Sequence, residues 1–315
     1  MDFTFKTISE FNDYFKDEKT CYEFLENQRW NNEPVCPHCG STKKPYKVKA
    51  RGKFTDIPSY RCSERQCDLP FTVRTGSIFE GSKVELRKWL QASYELSISK
   101  KGISSVELAT RIGVSQKTAW FINHRLRAML TETNPALLTG EVEIDETYVG
   151  GLEKNKHKSK RKLKGTGVTG KSPMIGLLQR EGKVVLKVID KDSSNGETIK
   201  PIVRNTVNKD ATIITDGFGA YKDLNKEFKA HGIVRHDRGE YVNGNFHTNS
   251  IEGFWSILKR GVIGTFHTVS HKHLQRYCDE FSYRYNNRDL TNIGKFTESI
   301  KNCEKRLTYK SLTSN

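Results

Sequence analysis

Two tight cysteine pairs, Cys36-Pro-His-Cys39-Gly and Cys62-Ser-Glu-Arg-Gln-Cys67, govern the early part of this chain. Thiolates two to four residues apart sit on tight turns and together suit one tetrahedral Zn²⁺. Between the pairs, YKVKARGKFTDIPSYRC reads as short strands. Residues 32–75 are therefore expected to form a zinc ribbon, with Cys36, Cys39, Cys62 and Cys67 holding a structural zinc. His38 offers an alternative ligand, but four thiolates complete the tetrahedron without it. So small a unit has little core, and metal binding supplies much of its folding energy. Clustered thiols point to metal in a reducing compartment rather than to disulfides. Cys21, outside the pairs, reads as a small buried hydrophobe.

A chain of 315 residues has room for two or three domains with proper cores. Lys and Arg number 53 against 37 Asp and Glu, a net charge of +16, so the first partner class to consider is nucleic acid. There is no apolar run long enough to span a membrane. The start, MDFTFKTISEFNDYF, is acidic and aromatic, unlike a signal peptide. With the cysteine usage, this makes a cytoplasmic protein the expectation.

Residues 1–31 read as helical, with broken spacing of Phe11, Tyr14, Phe15, Phe24 and Leu25. Residues 82–130 read as three helices. The first carries Val84, Leu86, Trp89, Leu90 and Leu96. The second is VELATRIG, capped by Ser104 or Ser105, and Gly113 makes the turn. Ser115 caps the third, QKTAWFINHRLRAML. Helix, glycine-centred turn, helix is a helix-turn-helix pattern, with Ala109, Ile112, Val114 and Ile122 inward. Gln116, Lys117, Thr118 and Asn123 are its candidates for facing a DNA groove. A zinc ribbon alone does not establish DNA contact, since ribbons also dock proteins.

From residue 141 the period changes to two. In EVEIDETYVG, Val142 and Ile144 face one way and Glu143, Asp145 and Thr147 the other. Glu146 alternates to the apolar side and reads as structural. A Lys-rich, Gly-punctuated loop follows, in which Lys160, Arg161 and Lys162 suit phosphate contacts. MIGLLQ and VVLKVI form a hairpin across residues 180–183. Next come a helix over 196–207, a buried strand ending at Asp216, a helix begun by GAYKDL, and the short strand HGIVRH. Then HTNSIEGFWSILKR, residues 247–260, reads as a helix with Ile251, Phe254, Trp255 and Leu258 buried. Ser250 or Asn249 is its expected cap. Glu252 and Lys259, seven residues apart, share one side of it. A last helix over 271–287 buries Leu274, Tyr277, Cys278, Phe281 and Tyr285. Whether the tail of residues 291–315 is ordered is left open by its pattern.

The order over residues 140–290 is strand, hairpin, helix, strand, helix, strand, helix. That is the order of a ribonuclease-H-like α/β fold, a mixed sheet with flanking helices. Asp145 on the first strand, Asp216 at the end of a later strand and Glu252 on a late helix occupy its three acidic places. Three acids converging on one point repel unless cations sit between them. Oxygen ligands of this kind suit Mg²⁺ or Mn²⁺, and two such ions can run phosphodiester chemistry. Lys259 is placed to hold a phosphate.

These residues resemble a known family. CPHCG with CSERQC, FTVRTGSIFEGSKVELRKWL, EIDETYVGG, ITDGFGAY, HTNSIEGFWSILKRG and FSYRYNNR are similar to the DDE-type transposases of bacterial insertion sequences, in the ISXO-like branch with an N-terminal zinc ribbon. The likeness runs from about Phe11 to Arg288. It implies an enzyme that binds the terminal inverted repeats of a mobile element, then cuts and transfers DNA strands beside the bacterial nucleoid. A homodimer or larger assembly on double-stranded DNA would hold two element ends together. Asp145 and Asp216 carry over as catalytic acids. The branch can present Asn at the third place, so Asn249 and Glu252 both stand as candidates; spacing favours Glu252. Alternatives are a nuclease on the same fold and a transposase-derived DNA-binding regulator.

Overall fold

The computed structural model describes the chain apart from residues 1–4, 51–53, 133–134, 152–156, 161–169, 191–194, 236–238, 240–241, 243, 305 and 315. The chain forms two compact units. One joins residues 1–131 to 289–315, and the other is 132–288.

In the first unit the N-terminal segment breaks into two helices, α1 (Ile8–Tyr14) and α2 (Glu18–Trp30), because Thr7 and Asp17 each cap a new start. The ribbon strands are only two residues long: β1 (Tyr46–Lys47), β2 (Tyr60–Arg61) and β3 (Pro70–Phe71), antiparallel in that order. So small a sheet needs support, and α2 provides it. Trp30 packs against Tyr60 and Phe71 with ring centroids 6.2 and 5.9 Å away. The Tyr60 hydroxyl donates to Glu26 Oε2 at 3.0 Å.

Three helices follow: α3 (Leu86–Ile98), α4 (Ser105–Ile112) and α5 (Gln116–Met129). Helix α3 has no cap of its own. Instead Glu18 of α2 accepts the Leu86 and Arg87 amides at 2.9 and 2.8 Å. Gly113, at φ 61°, ends α4 in the left-handed region, and Ser115 caps α5 two residues later.

The C-terminal segment is ordered and belongs to this unit's core as α9 (Asn292–Lys301) and α10 (Tyr309–Thr313). Phe296 of α9 is fully buried and stacks on Phe24 with ring centroids 5.6 Å apart. It lies within 6.3 Å of Phe5, Phe11, Phe15 and Tyr94. The Ser93 and Ser299 hydroxyls join α3 to α9 at 3.1 Å.

The second unit is built on five strands: β4 (Glu141–Val149), β5 (Ser172–Gln179), β6 (Val184–Val188), β7 (Thr212–Asp216) and β8 (Ala230–Val234). Their order is β6-β5-β4-β7-β8. The β4-β5-β6 half is antiparallel, while β7 and β8 run parallel to β4. This is the mixed sheet of the ribonuclease-H-like fold. Helix α6 (Gly196–Thr206) covers one face, where Ile199 and Val203 meet Val142, Ile144, Ile175 and Leu177. Helices α7 (Asn249–Gly261) and α8 (His271–Asn286) cover the other. There Ile251, Phe254, Trp255 and Leu258 meet Met174, Leu178 and Val184. The helix expected from GAYKDL does not form. The segment makes two short 3-10 turns, Gly219–Tyr221 and Leu224–Lys226, split by Asp223 at φ 72°. Glycines at 217 and 219 also weaken any helix there.

Burial pushes the Glu26 carboxyl up from 4.5 to about 7, with the Tyr60 hydrogen bond opposing the shift. The folded state then holds this proton more tightly than the unfolded chain, so stability falls as pH rises across that window. We expect melting temperature to drop between about pH 5 and about pH 8, and Glu26→Gln to flatten that slope. Thermal melts of both proteins across pH check this.

Candidate functional site

The site begins with how α7 is seated. Thr248 holds its N-cap position but makes no side-chain cap bond, so neither Asn249 nor Ser250 caps it as expected. The cap comes from the sheet. Glu143 of β4 is 0% exposed. Its Oε2 accepts the Ser250 and Ile251 amides, both at 2.9 Å, and its Oε1 accepts the Ser250 hydroxyl at 3.0 Å. Arg180 donates to Oε1 at 2.8 Å and also holds the Asn245 and His247 carbonyls. A negative charge at a helix N-terminus is well placed for the helix dipole, and a buried one needs a partner such as Arg180. The sequence put Glu143 on the Asp145 face but gave it no role. The signal was there: an acid on a face otherwise roofed by an apolar helix.

Two residues on, Asp145 points to the same face. Its Oδ2 accepts the Trp255 indole N–H of α7 at 2.8 Å. Burial pushes the Asp145 carboxyl up to about 6; the Trp255 hydrogen bond opposes this, and the charges of Asp216 and Glu252 add to it. Asp145 therefore lies in the field of the other two expected acids. Asp216 ends β7, and its Oδ1 accepts the Phe218 amide at 3.0 Å. Glu252 is exposed in the first turn of α7 and accepts the Thr248 hydroxyl at 3.0 Å. Asn249 is exposed one turn earlier. Lys259 is exposed on the Glu252 side of α7, about 10 Å further along the axis.

Glu146 faces the other side of the sheet, where Tyr221 donates to it at 2.6 Å. Burial pushes its carboxyl up to about 7, the Tyr221 bond opposes that, and the charges of Asp216 and Asp145 add to it. Beside Asp216 opens a cleft of about 500 Å³ lined by Phe218, Tyr221, Lys222, Lys226, His231 and Ile233 among others.

Among the described residues, the four cysteines are the group of metal-ligand side chains whose donor atoms all lie within 4.8 Å of one another. The Cys36–Cys67 and Cys39–Cys62 sulfurs are 3.8 and 3.6 Å apart. A tetrahedron with arms of about 2.3 Å has edges of about 3.8 Å, so the set fits zinc. The knuckle turns supply this spacing. Gly40, at φ 74°, closes the first with its amide on the Cys36 carbonyl at 2.8 Å, and the Cys62 amide meets the Leu69 carbonyl at 3.0 Å in the second. His38 is exposed and lies 3.3 Å from the Pro70 carbonyl, outside the set. The three acids are not drawn together so tightly.

The proposed DNA-facing residues divide. Gln116 and Lys117 are exposed and Thr118 is half-buried at the start of α5. Gln116 donates to the Ser105 hydroxyl at 2.8 Å. Asn123 does not face a groove: it is 1% exposed and donates to the Ile103 carbonyl at 3.3 Å. Two turns into α5, the helix face that carries it is already turned into the core with Ile122 and Leu126. Lys160 ends a short 3-10 turn, Lys158–Lys160, while Arg161 and Lys162 lie outside the described residues.

A mixed sheet thus carries acids on its central strand, on the neighbouring strand's end and on the covering helix. Comparison with known proteins places the chain in a family. Residues 137–286 match the ISXO2-like transposase domain, and residues 16–68 match the transposase zinc-ribbon domain. An uncharacterized protein in transposable element ISH50 of Halobacterium salinarum is 32% identical over 280 residues, which cover 86% of this chain and 91% of that protein. An uncharacterized transposase-like protein of Haemophilus influenzae is 30% identical over 93 residues, 30% of this chain and 74% of that protein. Among solved structures, the Mos1 strand transfer complex aligns over 68% of this chain and 74% of its own, at 11% identity and a TM-score of 0.29, too loose a likeness to bear on the reading. The chain belongs to the ISXO2-like transposase family, and is a DNA transposase.

Glu143→Ala leaves Arg180 and two helix amides without their shared acceptor. We expect it to destabilise the second unit by about 3–5 kcal/mol, read from urea unfolding. Stripping metal with a chelator is expected to lower the melting temperature of the first unit and expose its thiols to a thiol reagent, with zinc restoring both. Titrating released thiols against added Zn²⁺ checks it.

Proposed function

We propose that this transposase binds the terminal inverted repeats of its insertion sequence and cleaves and transfers DNA strands with Asp145, Asp216 and Glu252 as its catalytic acids. The observation that carries this reading is the placement of Asp145 on the central strand, Asp216 at the end of the strand beside it and Glu252 on the helix laid over Asp145. Like charges held in one field call for cations, and hard oxygen donors favour Mg²⁺ or Mn²⁺. Two such ions would activate a water, then a 3′-hydroxyl, and stabilise the leaving 3′-oxygen. Asp145 and Asp216 hold and orient that site from the rigid sheet, and Glu252 closes it from α7. Asn249, one turn before Glu252, is a neutral oxygen donor at its rim. Lys259 holds a backbone phosphate of the DNA end.

Exposed Gln116 and Lys117, with Thr118 beside them, are the groove-facing part of α5, and the lysines around residue 160 add phosphate contacts. The zinc ribbon supports that front end. Two element ends must be held together for transfer, so the working assembly is a dimer or larger on DNA. No helix among the described residues is long and apolar enough to cross a membrane. Action beside the nucleoid, in the cytoplasm, follows from the substrate.

Nicking of a DNA duplex carrying the terminal repeat, in Mg²⁺ or Mn²⁺, tests the assignment. Asp216→Asn is expected to lower the rate by at least about a thousandfold; equal nicking by both proteins overturns the site. Glu252→Gln is expected to cost far more than Asn249→Ala. The opposite ranking transfers the third role to Asn249.

A further inference from the structure

The indole of Trp255 serves both the apolar core and a polar contact. Asp145 and Trp255 meet across the seam between β4 and α7, with Nε1 donating to Oδ2 at 2.8 Å. The ring is 4% exposed and belongs to the apolar core beneath α7. A buried indole N–H wants an acceptor, and here the acceptor is the first catalytic acid rather than a backbone carbonyl.

The opposite strand is cut to fit this arrangement. Gly176 of β5 pairs directly with Asp145. A Cβ on Gly176 would stand 2.6 and 2.7 Å from the Trp255 ring and 2.9 Å from Ile251. The benzo edge of the ring therefore fills the space that a side chain at Gly176 would need, while its N–H reaches Asp145. Trp255 and Glu252 are three residues apart on α7, so they share a helix face within one turn. Whatever fixes Trp255 against β4 also fixes where Glu252 stands relative to Asp145.

We propose that Trp255 is a positioning residue of the transposase: its indole N–H holds the Asp145 carboxylate by Oδ2 in place for a divalent cation, and it sets the register of α7 that brings Glu252 to the same site. The inference rests on the assignment of Asp145 and Glu252 as metal-binding acids made above. A ligating carboxylate whose second oxygen is held by a neighbouring donor binds metal more tightly, and removing such a donor costs typically about 10–100-fold in affinity.

The full-length protein reports on this directly, because it has four tryptophans and hence four indole N–H resonances. The signal lost in Trp255→Phe, or selectively moved in Asp145→Asn, belongs to Trp255. Adding Mg²⁺ to wild type is expected to shift that resonance, and substoichiometric Mn²⁺ to broaden it before the other three. Trp255→Phe keeps the ring but not the donor. It is expected to need about tenfold more Mg²⁺ for half-maximal nicking, with most of the rate recovered at saturating metal. Gly176→Ala, which displaces the ring without touching a polar group, is expected to act in the same direction. Unchanged metal dependence in both variants, with the Trp255 resonance indifferent to Mn²⁺ while wild type still nicks DNA, overturns the positioning role and leaves the catalytic assignment standing. If Asp145→Asn and wild type bind metal and nick alike, the assignment beneath it fails, and this inference with it.

Discussion

One buried carboxylate, Glu143, answers to four donors: two amides at the start of α7, the Ser250 hydroxyl and the Arg180 guanidinium. Each would be costly to leave unmade in a dry interior. Together they fix the start of α7 on the sheet, and the Trp255–Asp145 contact holds the helix one turn further on. Arg180, anchored in the turn after β5, holds the loop that leads into the helix by its Asn245 and His247 carbonyls. The start of the helix that carries Glu252 is thus set by a contact with the central strand. The first unit uses the same device, where Glu18 of α2 seats the start of α3. In both cases the helix ends lack their own caps, so their position is specified by a distant element rather than by local sequence.

Much of this was legible in the residues. Alternation over EVEIDETYV put Glu143 and Asp145 on one face and Glu146 on the other, and the structure keeps that division. The spacing of Ile251, Phe254, Trp255 and Leu258 gave α7 its buried stripe. Long-range pairings were not legible. A pattern of period 3.6 says that Trp255 is buried, but not that its N–H ends on Asp145. Local rules suggested Asn249 or Ser250 as caps because they see only neighbours in sequence, whereas the real acceptor is more than 100 positions upstream. Asn123 failed for a related reason: a polar residue reads as outward until the loop before α4 is known to offer it a carbonyl. GAYKDL failed because helix propensity there is weak and the turn after Asp216 is held by the acid's own side chain.

The acids are arranged at a cost. Asp145 and Glu146 are both pushed toward protonation by burial and by neighbouring negative charge, and each is offset by one aromatic donor, Trp255 or Tyr221. Without those donors burial would push both carboxyls further toward the neutral form.

The aromatic core around Phe296 has a different kind of consequence. Residues 289–315 complete a unit whose other part is residues 1–131, so the catalytic segment lies between the two pieces in the chain. On the ribosome, Phe5, Phe11, Phe15, Phe24 and Tyr94 emerge long before the ring that closes over them. The first unit stays unfinished until the second has been made. A chain that stops before α9 therefore presents an open aromatic face to chaperones and proteases, and only a chain translated through α9 closes the core of the first unit.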